Sequence, residues 1–196
     1  MQKQLFVGVY GAASDAVDEN FKRNGEWLGE KIAEKGWSIV YGGGSTGMMG
    51  AIARGCERKD GILVGVIPYF MTNLERVKLD CTKVIRIDSM AERKSVIEAI
   101  ADVFLVLPGG IGTFDELFQA LTQITLGRKH TEVIIFNDNH YYDDLITFMK
   151  SCTEKGFIRS DVIDYCHVYD TKEKTLEALE QLLEELPELV TINNMD

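Results

Sequence analysis

The fold is decided by the stretch Leu107-Pro108-Gly109-Gly110-Ile111-Gly112-Thr113-Phe114-Asp115-Glu116. It follows an apolar run at 103–106 that has the length and the β-branched content of a buried strand. After it comes a helical pattern whose apolar residues share one face: Phe114, Leu117, Phe118 and Leu121. A strand, a glycine loop and a helix in this order direct free backbone N–H groups and the positive end of a helix at an anion. The sequence therefore predicts a phosphate-binding loop.

This loop differs from the common nucleotide-binding patterns. It is neither G-x-G-x-x-G nor the Gly-Lys-Ser/Thr of a Walker loop. Its glycines lack the Cβ atoms that would hold a phosphate away, and Pro108 stiffens the exit from the strand. Asp115 and Glu116 follow closely, and their carboxylates would repel a phosphate unless they face another part of the ligand. An alternative stays open for Glu116, because Thr113 and Glu116 also have the spacing of a capping box with Thr113 as N-cap.

The rest of the chain alternates predicted strands and helices, which is the pattern of a parallel sheet covered on both faces. Strands are predicted at about 5–10, 38–41, 62–66, 83–87, 102–107, 132–136 and 165–169, and helices at about 16–35, 47–59, 90–101, 114–127, 141–155 and 171–186. We therefore expect a Rossmann-like, doubly wound α/β sheet of about seven parallel strands, in one domain over 1–196. Pro187 should end the last helix and leave 187–196 as a frayed tail.

Composition narrows the class of partner and the compartment. A net charge of −10 and a pI near 4.8 argue against a nucleic-acid polymer or an anionic membrane surface as partner, although a small phosphate ligand remains compatible. The four cysteines and three histidines have no metal-ligand spacing, so we expect no metal and a reducing compartment. We expect a cytoplasmic protein, since no signal peptide precedes the first strand and no apolar run approaches the roughly 20 residues that span a bilayer.

Two further loops leave the carboxyl ends of predicted strands, where ligands bind in such sheets. The first, 11–14, has small residues and ends at Ser14, which is able to cap a helix or to bind phosphate. The second, 42–50, has five glycines in nine residues. One turn does not need that many, so we predict close backbone approach to a ligand, with Gly43 and Gly44 as contacts.

A third loop, 88–94, places two cations at the start of a helix. Ser89 and Glu92 form a capping box, which accounts for those two residues. Arg93 and Lys94 oppose the helix dipole, at a cost of about 0.3–1 kcal/mol each. We expect them to face an anion, or a carboxylate such as Glu116, across the cleft. The alternative is a solvated pair near a helix end.

Three segments together resemble the LONELY GUY family of cytokinin riboside 5′-monophosphate phosphoribohydrolases, whose members have also been labelled lysine decarboxylases. The segments are Tyr41-Gly-Gly-Gly-Ser-Thr-Gly-Met-Met-Gly50, Ser89-Met-Ala-Glu-Arg-Lys94 and Pro108-Gly-Gly-Ile-Gly-Thr-Phe-Asp-Glu116. Their order and spacing agree with the family over roughly residues 5–150. The resemblance implies hydrolysis of the N-glycosidic bond of AMP, of N6-modified cytokinin riboside monophosphates, or of both, to free base and ribose 5-phosphate. It implies no cofactor.

The resemblance also assigns roles to residues. It implies that Arg93 and Glu116 are catalytic. Substrate contacts are expected at Ser14, Gly43, Gly44, Glu75, Met90, Lys94, Gly109, Gly110, Ile111, Gly112, Thr113, Phe114, Asp115 and Thr122. The chain departs from the family pattern at Ala91, where a histidine is common, and at 126–132, and these departures bear on the base preference and on a subunit contact.

The chemistry suits these residue types. Cleavage builds positive charge on the ribose, and a carboxylate beside the sugar stabilises it and orients the attacking water. Arg93 could hold Glu116 ionised or donate to the phosphate or the leaving base. Two other classes stay open: a non-catalytic carrier of a nucleotide or of the molybdenum cofactor, and a lysine decarboxylase with pyridoxal phosphate on a lysine.

The resemblance further implies a homodimer, because the family closes the cleft with helices of the neighbouring subunit. The predicted helices at 90–101 and 114–127 carry more apolar surface than one sheet face should absorb. The residues concerned include Val96, Ile97, Ile100 and Phe118.

Overall fold

The computed structural model describes residues 4–73, 77–127 and 131–184. Within these ranges one sheet contains seven strands: β1 (Phe6–Tyr10), β2 (Ser38–Tyr41), β3 (Leu63–Pro68), β4 (Lys83–Ile87), β5 (Val103–Val106), β6 (Val133–Phe136) and β7 (Cys166–Tyr169). Their order is β4-β3-β2-β1-β5-β6-β7, and every neighbouring pair is parallel. The predicted fold class is confirmed.

Helices cover both faces of this sheet. They are α1 (Glu19–Glu34), α2 (Gly47–Glu57), α3 (Met90–Ile100), α4 (Ile111–Thr125), α5 (Asp143–Glu154), the short α6 (Asp161–Asp164) and α7 (Lys172–Glu184). Because strand side chains alternate between faces, Val7 and Val9 pack with α1, α2 and α7, whereas Tyr10 packs with α3, α4 and α5. The two apolar cores lie on opposite sides of the central strands.

The site is positioned by the reversal of strand order between β1 and β5. From β1 the chain moves outward to β4, and it then returns to β5 on the other side of β1. The loops that follow these two central strands therefore diverge and leave a crevice, which is where ligands bind in open α/β sheets. A backbone hydrogen bond from Ala12 N to Pro108 O, 3.1 Å long, joins the loops at the base of the crevice.

Helix boundaries differ from the prediction at the most important point. Helix α4 begins at Ile111 with Gly110 as N-cap, three residues before the predicted start at 114. The capping box proposed for Thr113 and Glu116 is therefore wrong, because both residues lie inside the helix. Helix α1 also begins later than predicted, since the Asp18 carboxylate accepts from Asn20 N at 2.8 Å and caps it there. The predicted tail at 187–196 lies outside the described residues.

Within 4–73, 77–127 and 131–184, no helix is both long and apolar enough to cross a bilayer.

Candidate active site

The amino end of α4 is open and has no side-chain cap among the described residues. Its N-cap is a glycine. The N–H groups of the first helical turn have no acceptor within their own helix. A Cβ atom added to Gly110 or Gly112 would meet nothing within 4 Å, and Ile111 is 83% exposed. The predicted phosphate loop is therefore open to solvent and presents backbone donors.

Gly109 has a different role in the same loop. A Cβ atom at this position would lie 2.6 Å from Thr113 Cβ, so the tight turn into α4 requires glycine. The carbonyl oxygen of Gly109 accepts a hydrogen bond of 2.9 Å from the Tyr141 hydroxyl. Thr113 is 97% buried beneath the turn, since its exposed fraction is 3%. These contacts fix the backbone that presents the N–H groups.

The two predicted catalytic residues meet in the interior. Arg93 and Glu116 are 5% and 6% exposed, and Arg93 Nη1 lies 3.6 Å from Glu116 Oε1. Glu116 is on the second turn of α4 and faces α3, where it has no capping role. The separation exceeds a hydrogen-bond length, so the two charges attract each other while neither group is locked to the other.

The glycine loop after β2 makes room for the guanidinium. A Cβ atom at Gly42 would overlap Arg93 Nη2 and would lie 2.5 Å from Arg93 Cζ. On the other side, Arg93 Nη1 is 3.9 Å from Met90 Sδ. Ser89 caps α3 as predicted, with its Oγ accepting from Glu92 N at 3.1 Å, but the Glu92 carboxylate accepts from Asp88 N at 2.9 Å and not from Ser89 N, so the capping box is only half formed. The Ser89 cap starts the helix so that the Arg93 side chain lies against Gly42 and Glu116.

Lys94 and Asp115 form a second pair at the mouth of the site. Lys94 Nζ lies 2.9 Å and 2.8 Å from the two Asp115 carboxylate oxygens. The Asp115 side chain is 57% exposed, whereas the Lys94 side chain is only 12% exposed. Each cation of α3 therefore pairs with a different carboxylate of α4. The Asp115 carboxylate stays exposed at the surface, and its contact with substrate stays a prediction.

Sequence reasoning missed a second polar contact between α3 and α4. Glu98, 8% exposed, accepts a hydrogen bond of 2.7 Å from Gln119 Nε2. The Tyr10 hydroxyl is buried without a hydrogen-bond partner among the described residues, and its ring stacks on Phe104 at 5.4 Å. The pKa of Tyr10 is raised well above its usual value, mainly by burial and then by the negative charges of Glu116 and Glu98. In the sequence, the sign of this buried polar contact is that the charged residue Glu98 directly follows the core residue Ile97.

Packing inside the chain explains the glycines after β2. A Cβ atom at Gly43, whose φ is +74°, would lie 2.6 Å from Ile67 Cδ1, and one at Gly44 would lie 2.6 Å from Met49 Cε. The amino end of α2 is also occupied, since Met49 N donates to Ala12 O at 3.2 Å. The close approach predicted for this loop is therefore made by the protein itself. Substrate contact at Gly43 and Gly44 stays a prediction.

The remaining predicted contacts are spread out. Ser14 lines a cavity of about 280 Å³ together with Pro108, Gly109, Gly110 and Tyr141. In the described part of the chain, Arg93 and Glu116 do not line this cavity. Thr122 follows Glu116 by six residues, which places it about 9 Å further along α4 and on another side of the helix. It lines a largely apolar cavity of about 370 Å³ with Phe118, Leu126 and Phe157 among others. Glu75 lies outside the described residues.

Within 4–73, 77–127 and 131–184, no three histidine, cysteine, aspartate or glutamate side chains are arranged to hold a metal ion. All four cysteines are free thiols.

The chain is similar to known proteins in both sequence and structure. A family model described as "Possible lysine decarboxylase" matches residues 49–179. The cytokinin riboside 5′-monophosphate phosphoribohydrolase of Mycobacterium tuberculosis is 35% identical over 88% of this chain and 91% of that protein. The enzyme of the same name from Rhodococcoides fascians is 33% identical over 78% of this chain and 77% of that protein.

Among solved structures, the molybdenum cofactor carrier protein of Chlamydomonas reinhardtii has a TM-score of 0.72 and 21% identity, with 93% of this chain and 100% of that chain covered. At that identity the likeness shows the fold alone.

Proposed function

The chain belongs to the LONELY GUY family of cytokinin riboside 5′-monophosphate phosphoribohydrolases, and from that premise we propose that it hydrolyses the N-glycosidic bond of AMP, of N6-modified adenine nucleotides, or of both. The products are the free base and ribose 5-phosphate. The observation that carries this proposal is the buried Arg93–Glu116 pair one helical turn behind the open amino end of α4.

The substrate binds with its 5′-phosphate at the amino end of α4. The N–H groups of the first turn donate to the phosphate oxygens, and the helix dipole favours the negative charge. Asp115 at the mouth accepts hydrogen bonds from ribose hydroxyls, because its carboxylate is exposed while Lys94 holds it in place. This arrangement brings the anomeric carbon towards Glu116.

Glu116 then acts on the charge that develops in the ribose. As the bond to the base breaks, the sugar becomes an oxocarbenium-like cation, and a nearby carboxylate stabilises it and orients the attacking water. The positive charge of Arg93 attracts the Glu116 carboxylate in the resting enzyme. Because their separation of 3.6 Å exceeds a hydrogen bond, the guanidinium can turn to the phosphate or the leaving base when substrate enters.

A homodimer completes this site in our proposal. Thr122 does not reach the Arg93–Glu116 pair along its own helix, which fits a substrate contact made across a subunit interface. Phe118, Leu126 and Phe157 are 39%, 66% and 83% exposed around the same cavity, and this apolar surface supports burial against a second copy. We also propose a cytoplasmic location, because the four cysteines are free thiols and a reducing compartment keeps thiols free.

Two alternatives are separated by simple measurements. A carrier of a nucleotide or of the molybdenum cofactor would bind without turnover and would tolerate loss of Arg93 and Glu116. A lysine decarboxylase would show the visible absorbance of pyridoxal phosphate bound to a lysine.

The test is incubation of the purified protein with AMP and with N6-isopentenyl-AMP, followed by chromatography of both products. We expect free base and ribose 5-phosphate in equal amounts, and the ratio of specificity constants identifies the preferred base. Binding of both nucleotides without release of base would refute the hydrolase and favour the carrier.

A further inference from the structure

Three consecutive backbone carbonyl groups at the exit of β5 are each held by a hydrogen bond. Leu107 O accepts from the Tyr142 hydroxyl at 2.7 Å, and Pro108 O accepts the backbone hydrogen bond at the base of the crevice. Gly109 O accepts from the Tyr141 hydroxyl at 2.9 Å. Groups from outside the predicted phosphate loop therefore fix the orientation of the peptides that lead into it.

The bond from Tyr141 decides where one N–H group of the loop points. The C=O and the N–H of a trans peptide lie in one plane and point in opposite directions, so a group that holds a carbonyl also aims the N–H of the next residue. The peptide held by Tyr141 joins Gly109 to Gly110, and neither residue has a side chain that would resist its rotation. The Gly110 N–H that is aimed in this way has no backbone acceptor among the described residues.

The bond from Tyr142 is of the same kind but has a different consequence. The peptide that it holds joins Leu107 to Pro108, and proline has no N–H group. Tyr142 is 1% exposed, whereas Tyr141 is 46% exposed and lines the cavity of about 280 Å³ together with Gly109. Of these two tyrosine bonds, only the one from Tyr141 aims a hydrogen-bond donor.

The Tyr141 ring is itself held in place. It makes edge contacts with Phe21 and with Tyr142, at 6.1 Å and 4.9 Å between ring centroids. The two residues before it, Asn139 and His140, have left-handed φ angles of 51° and 61°. Residues other than glycine adopt this conformation rarely, and it persists where the surrounding structure holds it. The hydroxyl is thus fixed at the loop before a ligand arrives.

We propose that Tyr141 is a positioning residue for the 5′-phosphate: its hydroxyl fixes the Gly109–Gly110 peptide so that the Gly110 N–H donates to a phosphate oxygen. Tyr141 does not touch the substrate. The role rests on the function proposed above, in which the amino end of α4 binds the phosphate. Tyr141 therefore contributes to the preference for AMP over adenosine, because adenosine has no group that accepts from this N–H.

The substitution Tyr141→Phe removes the hydroxyl and keeps the ring. The Gly109–Gly110 peptide is then free to rotate, and its carbonyl oxygen can face the phosphate in place of its N–H. We expect KM for AMP to rise about tenfold to a hundredfold, as the loss of one charge-assisted hydrogen bond implies. The kcat should stay close to the wild-type value, because Arg93 and Glu116 are unchanged.

Two further measurements separate phosphate positioning from a merely structural role. The kcat/KM for adenosine should be unchanged in Tyr141→Phe, so that the preference for AMP over adenosine falls by the same factor as KM rises. The inhibition constant of ribose 5-phosphate, measured against AMP, should rise by that factor as well. Chromatography of released adenine gives all of these values.

The substitution Tyr142→Phe is the matched control, since it also removes a hydroxyl that donates to a carbonyl at the exit of β5. The buried Leu107 carbonyl loses this donor, so the urea midpoint should fall. The preference for AMP over adenosine should equal that of the wild type, because the Leu107–Pro108 peptide carries no N–H. An equal loss of preference in Tyr141→Phe and Tyr142→Phe would indicate general loosening of the loop and would overturn the role of Tyr141.

The outcomes distinguish this role from the proposed activity. A wild-type protein that releases no base overturns the hydrolase, and calorimetry then still tests Tyr141, since Tyr141→Phe should lose affinity for AMP and not for adenosine. An active wild type with a folded Tyr141→Phe of unchanged preference overturns the role of Tyr141 alone. If Tyr141→Phe does not fold, Phe21→Leu decides, because it removes a ring contact of Tyr141 and keeps the hydroxyl. Its preference for AMP should fall, and an unchanged preference overturns the role.

Discussion

The substitution Gly42→Ala adds one methyl group next to Arg93 and tests whether the position of the guanidinium matters for activity. The new Cβ atom would overlap Arg93 Nη2 and would lie 2.5 Å from Cζ and 3.0 Å from Nε. Carbon atoms pack at about 3.5–4.0 Å, so the guanidinium must move by about 1 Å or more. A misplacement of that size typically costs about 10²-fold in rate. We expect kcat/KM for AMP to fall by about that factor.

The fold should survive this change. Gly42 does not have a left-handed backbone conformation, so alanine is not strained there. Overpacking costs about 1–3 kcal/mol in the free energy of unfolding. Adenine release by chromatography gives the activity, and urea denaturation gives the stability.

Gly25→Ala serves as the control for Gly42→Ala. A Cβ atom at buried Gly25 would lie 3.1 Å from Met48 Cε, in the core between α1 and α2, and would meet no atom of Arg93 within 4 Å among its three nearest neighbours. Its kcat/KM should match the wild type. A folded Gly42→Ala protein with wild-type kcat/KM would refute the reasoning, because the position of Arg93 would then not matter.

Three other outcomes are expected. Adenosine should be cleaved about a thousandfold less efficiently than AMP, because without the phosphate the amino end of α4 loses two or three charge-assisted hydrogen bonds of roughly 1.5–3 kcal/mol each. Equal specificity constants for the two substrates would show that this helix end does not bind the phosphate. Light scattering at micromolar concentration should give about twice the 22.0 kDa of one chain, and a monomer mass would exclude the dimer. Burial raises the pKa of the Cys56 and Cys166 thiols to about 12, so these thiols ionise only in the unfolded chain as pH rises above about 8.5. Urea midpoints should therefore fall between pH 8 and pH 10, and replacement of Cys56 by Ala should make that fall shallower.

The order of strands and helices was predictable from the sequence because apolar periodicity changes cleanly along the chain. Each predicted strand corresponds to a strand of the sheet within two residues at either end. The meeting of Arg93 with Glu116 was predictable as well, since cations at a helix start need an anion and parallel strands bring their following loops to one edge.

Predictions from local sequence patterns were wrong or incomplete where tertiary contacts determine the structure. Thr113 and Glu116 match a capping box in spacing, but the glycine N-cap starts α4 three residues earlier. The glycines after β2 suggested a ligand, whereas Gly42 is needed to accommodate Arg93. Glu98 gave little signal, because its contact with Gln119 depends on how α3 and α4 pack. The resemblance to the family placed Thr122 among the substrate contacts. Within one chain, however, Thr122 lies away from the Arg93–Glu116 pair, further along α4.

Replacement of Glu116 by Gln tests the central claim most directly. The amide has the size of the carboxylate but lacks the charge that stabilises the ribosyl cation. We expect turnover of AMP to fall by about 10²–10³-fold, as for loss of a preorganised electrostatic group. Nucleotide binding, measured by calorimetry on the same preparation, should persist or tighten, since a buried negative charge near the phosphate is gone. A folded Glu116→Gln protein that releases adenine at the wild-type rate would contradict the catalytic role of Glu116.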